Sequence, residues 1–322
     1  MRRRRLARAL AGAAVAALLP LRVRADSPTR VTLGTATPGG GFQVYGQAYA
    51  EALNEADPTL AIEPRATRGS TENLPLLEAG ALDLGLVTGE VAHEAFAGIG
   101  RPAATSLRIV NAMYPNSGLF VVRADSRLRT LADLRGRRIA WGARGSGFVV
   151  LARYLADGLR LDLDRDFESI YLERAAEGPA MLADGRIDAL WGGGSAWPGF
   201  TAVADSPAGA RFIAPDDASL QRVIDKHPFI RRTTLPAGSY RNQDRDIVTL
   251  GSWSLVLGRA TLPDDVMHRL ALALHRAREG LERRLPLAGE STLASTLAAA
   301  GQRPELIHAG VRRAMRDVGL PA

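Results

Sequence analysis

The chain alternates short apolar runs with helix-patterned segments along almost its whole length. Parallel strands need a crossover of a dozen or more residues, usually a helix, so this alternation points to an α/β fold with largely parallel sheets. The clearest unit is RATRGSTENLPLLEAGALDLGLVTGEVAHEAF, residues 65–96. A Gly-Ser-Thr turn at Gly69–Thr71 opens a helix expected over 73–79, and Gly80 ends it. The apolar strand 82–87 then closes on Thr88-Gly89-Glu90. Helix start and strand end both offer hydrogen-bonding groups to something small. No complete catalytic set accompanies them, so the unit reads as capture without chemistry.

The same alternation predicts strands over 30–35, 61–67, 108–113, 118–123, 138–141, 169–172 and 189–192. Helices are expected over 42–55, 148–158, 178–184 and 218–227. In the first of these, Val44, Tyr45, Ala48, Tyr49 and Leu53 share one face. A long apolar strand is expected over 248–258, and closing helices over 264–284 and 305–318.

The N-terminus has a different character. Arg2–Arg5 form a positive segment, an apolar run follows over 10–21, and Val23-Arg24-Ala25 is a small-x-small site. That is the layout of a secretory signal peptide cleaved near Ala25, and the run is shorter than the roughly 20 residues of a membrane span. Its seven arginines account for the formal charge of +7; without them, 34 basic residues face 34 acidic ones. A mature chain of balanced charge gives no footprint for nucleic acid. The chain has no cysteine, which excludes disulfides, thiolate metal sites, cysteine nucleophiles and a lipid-anchoring cysteine. An exported chain of this kind is expected free in the periplasm, with no stable membrane insertion once the leader is gone.

Three Gly-rich turns sit at strand-to-helix junctions: TATPGGGF (35–42), ATRGS (66–70) and WGARGSGF (141–148). Each is either a tight connection or a place where backbone N–H groups converge on an anion at a helix N-terminus. None fits a Walker A or a dinucleotide fingerprint, so no cofactor is expected. Together they suggest one cleft lined from several strand ends. Enzyme signatures are missing. The five histidines form no HxH or HExxH, and Gly193-Gly194-Ser195-Ala196-Trp197 breaks the G-x-S-x-G elbow at its last position. Asp162, Asp164 and Asp166 lack the Gly and terminal Glu of an EF-hand loop and read as a solvated loop.

A set of motifs in fixed order carries a resemblance. Gly39-Gly40-Gly41-Phe42-Gln43-Val44-Tyr45-Gly46 comes first, then Ala66-Thr67-Arg68-Gly69-Ser70-Thr71-Glu72-Asn73 and Glu78-Ala79-Gly80-Ala81-Leu82-Asp83-Leu84. Gly142-Ala143-Arg144-Gly145-Ser146-Gly147, Pro236-Ala237-Gly238-Ser239-Tyr240 and His308-Ala309-Gly310-Val311 follow. With these the chain resembles the TAXI-type solute receptors of TRAP transporters, which are periplasmic substrate-binding proteins. It departs from the family's tyrosine pair at Phe42 and Gln43, from its Gln-Ser-Asp at Thr88-Gly89-Glu90, and from a small residue at Arg68.

The resemblance implies a two-lobed, periplasmic binding protein type II-like α/β fold with hinge strands and a central ligand cleft. Lobe one would hold 26–118 and 258–322, and lobe two 119–257. It implies a receptor, not an enzyme, that captures a small carboxylate or amino acid, glutamate- or glutamine-like or another, for TRAP permease subunits. A receptor signalling to a sensor kinase is the alternative, followed by a periplasmic enzyme on an organic acid.

The expected ligand-binding residues each have a structural role to weigh. Gly40 and Gly41 supply backbone donors or permit a tight turn. Phe42 and Tyr45 stack on ligand or pack. Ser70 binds ligand or caps the helix at Asn73, and Asn73 reaches the cleft from the first turn. Arg68 and Arg144 could pair with a carboxylate through their planar forks. Thr88 ends the third strand, and Glu90 favours a ligand ammonium or caps the next helix. Ser146 and Gly147 face the cleft in the resembling family. Trp191, with Trp197, walls the cleft or packs in lobe two.

Overall fold

The structure, a computed structural model, describes residues 27–321. The signal-peptide reading therefore lies outside the described residues. Among those described, no helix is long and apolar enough to cross a membrane.

In chain order the strands are β1 (Thr29–Gly34), β2 (Leu60–Arg65), β3 (Leu84–Thr88), β4 (Leu107–Pro115), β5 (Gly118–Arg123), β6 (Arg138–Ala143), β7 (Glu168–Leu172), β8 (Ala189–Gly193), β9 (Ala210–Ile213), β10 (Arg231–Leu235), β11 (Ile247–Gly251) and β12 (Trp253–Arg259). The helices are α1 (Gly41–Ala56), α2 (Ser70–Glu78), α3 (Gly89–Ala97), α4 (Gly147–Gly158), α5 (Leu163–Asp166), α6 (Glu177–Ala183), α7 (Pro198–Ala204), α8 (Asp217–Lys226), α9 (Asp264–Arg284), α10 (Leu293–Ala300) and α11 (Ala309–Asp317).

Two sheets result. The first has the order β2-β1-β3-β12-β4, with β1 parallel to β2 and β3, and β12 antiparallel to β3 and β4. The second runs β10-β11-β5-β8-β6-β7, with β9 also paired to β5. β5 explains why the second sheet is buried on both faces. Its side chains alternate with period two, so Phe120 and Val122 enter one apolar cluster while Leu119 and Val121 enter another. The first sheet and helices α1, α9 and α11 share a single larger core that includes Tyr45, Tyr49, Leu270 and Met315.

The chain passes from sheet one to sheet two through Asn116-Ser117 and returns through Ser252. The two passages touch: the Asn116 N–H donates to the Ser252 carbonyl at 2.7 Å. An added Cβ at Gly251 would lie 1.6 Å from the Asn116 carbonyl oxygen, so only glycine lets the two backbones meet.

Several expected elements differ. The single strand over 248–258 is two strands in different sheets, broken at Ser252, because β11 pairs with β5 and β10 while β12 pairs with β3 and β4. The helix after ATRGS begins at Ser70, three residues early, with Gly69 at φ 115° as its cap. The closing helix begins at Ala309, capped by His308, whose Nδ1 accepts the Gly310 N–H at 3.2 Å. The aspartate-rich loop contains the one-turn helix α5: Asp162 accepts the N–H groups of Asp164 and Arg165 at 2.9 and 3.1 Å. α7, α10, β9 and β10 are short elements without a predicted counterpart.

Candidate functional site

The three Gly-rich turns converge from the two sheets. The turn after β1 leads into α1, the turn after β2 into α2, and the turn after β6 into α4. The latter two touch: the Thr71 N–H and hydroxyl both donate to the Gly145 carbonyl, at 3.2 and 3.1 Å. The approach is close enough to require glycine. A Cβ on Gly145 would stand 2.6 Å from the Arg68 Cβ, and one on Gly147 would stand 2.0 Å from the Thr88 Oγ1. From the first turn, the Thr37 hydroxyl accepts the Ala175 N–H of the other lobe at 3.3 Å.

These turns border a cleft of about 840 Å³, partly open to solvent. Its floor carries the N-terminal residues of α1, α2 and α4: Gly41 and Phe42, Ser70, and Gly147 and Phe148. The first backbone N–H groups of a helix lack intrahelical acceptors and carry a partial positive charge, so three such termini favour an anion. Ser146 caps α4 by accepting the Phe148 N–H at 3.2 Å.

The sequence-predicted residues divide into two groups. Gly40, Gly41, Phe42, Arg68, Ser70, Thr88, Ser146, Gly147 and Trp191 line the cleft. Ser70 does not cap its helix; its hydroxyl accepts the Thr88 N–H at 3.1 Å and ties α2 to the end of β3. Thr88 is buried, and its own hydroxyl has no partner. Trp191 is fully buried as well as lining, with its indole N–H donated to the Phe148 carbonyl at 2.8 Å.

Tyr45, Asn73, Glu90 and Arg144 stand off the cleft lining. Tyr45 is buried in lobe one, bonded to Ser291 at 3.0 Å and packed edge-on to Tyr114. Asn73 is buried beneath the cleft, where Nδ2 donates to the carbonyls of Gly34, Thr35 and Leu86 at 3.3, 3.0 and 2.8 Å. It holds the ends of β1 and β3 together. Glu90 is buried in the first turn of α3 and accepts the Ser252 hydroxyl at 2.7 Å. Burial raises its pKa, and the Ser252 hydrogen bond offsets part of that rise. Arg144 turns outward, over the Tyr171 ring and 3.9 Å from Glu173.

Residues the sequence reading passed over complete the cleft: Tyr114, Asn116, Phe148, Leu285 and Leu287. Tyr114 and Asn116 lie between the strands expected over 108–113 and 118–123; polar residues at the junction of two apolar strands were the available signal. Asn116 is buried and its Nδ2 has no partner. Burial raises the Tyr114 phenol above its ordinary pKa, so it remains a donor. Nothing in the local pattern marks Leu285 and Leu287, which follow a long helix.

A profile of the NMT1-like family matches residues 33–319. Among solved structures, an alkanesulfonate-binding protein from Xanthomonas axonopodis pv. citri, bound to MOPS, is 21% identical with a TM-score of 0.52, over 91% of this chain and 85% of that one. The substrate-binding protein of an amino acid ABC transporter is 14% identical with a TM-score of 0.52, over 81% of this chain and 99% of that one. A protein described as a periplasmic transporter is 12% identical with a TM-score of 0.58, over 91% and 98%. At these identities the likeness is one of fold: the two-lobed architecture of substrate-binding proteins.

Proposed function

The chain belongs to the NMT1-like family, and from that membership we propose that it is a solute-binding receptor for a small organic anion. The reading rests on one observation above all. Three helix N-termini, the exposed Arg68 guanidinium and the unpartnered Asn116 amide meet in one cleft between the lobes. Such a site attracts negative charge, and among the described residues no histidine or carboxylate lines it to activate a hydroxyl. The receptor acts by differential affinity: ligand binds the closed arrangement better than the open one and shifts the population towards it. The leader-like N-terminus supports export to the periplasm. The ordered motifs shared with TAXI-type receptors support delivery to a TRAP permease.

The test is native mass spectrometry of the exported protein purified without added solute, followed by denaturation and identification of what is released. We expect one organic anion per chain, and affinity for it reduced about tenfold or more in Arg68→Ala, or about 1.4 kcal/mol. An empty protein that binds no organic acid in calorimetry would overturn the reading.

A further inference from the structure

The composition of the cleft wall constrains the ligand further. This inference rests on the receptor reading and names the class of solute. Among the described residues, Arg68 is the one charged residue lining the cleft, and no aspartate or glutamate lines it. Of the nearby carboxylates, Glu90 is buried against Ser252 and Glu72 accepts the Arg68 backbone N–H, and neither lines the cleft. The polar groups without partners are mostly donors. The Asn116 Nδ2 has none and neither has the Thr88 hydroxyl, while Tyr114 and Trp197, each carrying a donor, also line the cleft. A ligand ammonium placed here would meet donors and a guanidinium, with no counter-charge to offset its lost hydration.

The remaining wall is apolar. Phe42, Phe148, Leu285 and Leu287 contribute carbon surface. Trp197 lies against glycine backbone: a Cβ on Gly192 would come within 2.5 Å of its ring, and one on Gly199 within 2.6 Å. Across the cleft stands Gly41, whose absent Cβ would lie 3.4 Å from the Trp197 Cδ1 and 3.7 Å from the Tyr114 hydroxyl. At that spacing the Cδ1 edge of the indole on lobe two and the bare backbone of Gly41 on lobe one close one side of the cleft, with no room for a ring between them.

We propose that the cleft selects a monoanion with an apolar body and no ammonium group, a hydrocarbon-bearing carboxylate or sulfonate. The anionic oxygens take the helix N-termini, Arg68 and Asn116, and the hydrocarbon takes the wall of Phe42, Phe148, Leu285 and Leu287. Calorimetry of the full chain without its leader tests this with phenylacetate, phenylmethanesulfonate, phenylalanine and glutamate. At least one of the two aryl anions is expected to bind, and which one identifies the head group. Phenylalanine, the same ring with an added ammonium, is expected to bind about 100-fold more weakly, as is glutamate. Phenylalanine or glutamate binding as tightly as the aryl anions overturns the inference and leaves the receptor reading intact. So does a cleft that ignores both aryl anions yet releases an ammonium-bearing solute on denaturation. Asn116→Asp is expected to weaken aryl-anion binding about tenfold or more while narrowing the gap to phenylalanine. Arg68→Glu, at an exposed position, serves the same comparison should the Asn116 variant fail to fold. If both variants fold and the gap stays unchanged, the assignment of these two groups is wrong.

Discussion

Glu90 shows how a residue can matter without touching ligand. Its carboxyl is fully buried, one oxygen takes the Ser252 hydroxyl, and the other has no partner. Because burial raises its pKa, the folded protein holds this proton more tightly than the unfolded chain does. That contribution to stability is present in acid and is lost as pH rises from the ordinary carboxyl value through the folded one. Glu90→Gln keeps the acceptor for Ser252 and does not titrate. Its thermal midpoint should exceed that of the natural protein at neutral pH, and the two should converge in acid. A variant less stable at neutral pH would show that the buried charge is compensated. The sequence offered Glu90, just past a strand end, as a partner for a ligand ammonium or a cap for the next helix; it sits in the first turn of α3, off the cleft. It could not say which way the side chain turns, because that depends on Ser252, 162 positions away along the chain.

At the scale of elements, Asn73 joins three of them. From the first turn of α2 its amide reaches carbonyls at the ends of β1 and β3. Asn73→Ala would leave these buried acceptors short of a donor, at a cost of about 1–3 kcal/mol. Chemical denaturation should record that loss, with ligand affinity falling less than in Arg68→Ala. An unchanged unfolding free energy would remove Asn73 from its structural role. Element type was legible wherever a local signal existed. The α1 stripe and the uninterrupted β5 both formed, and the three Gly-rich turns did meet. What failed were decisions that depend on distant partners. Nothing in 248–258 announces that half of it pairs with β5 and half with β3, since both halves are equally apolar. The helix start at Ser70 depended on a left-handed Gly69, and Gly69 also faces Gly145 of the other lobe.

Across the whole molecule, closure rests on bare backbone. Gly145 and Gly147 meet Arg68 and Thr88 with no room for a methyl group. Tyr154 bridges the lobes to Glu94 at 3.0 Å, and His93 stacks on Phe229 with ring centres 3.9 Å apart. Gly147→Ala should leave each lobe folded but hold the pair apart. Small-angle scattering should show a larger radius of gyration in the presence of ligand, and affinity should fall about tenfold or more. Compaction equal to that of the natural protein would show that the lobes can meet another way.

The hydrogen bond between Asn116 and Ser252 gives the pivot a second consequence. Asn116 is at once part of the passage about which the lobes turn and a donor facing the cleft. A group on the axis would keep its distance from the solute as the jaws swing, whereas groups on walls away from it would recede. Arrival and departure would then be staged. A molecule seats first against the axis, in a shallow encounter that either jaw position permits, and its residence time is set by how often the outer walls part.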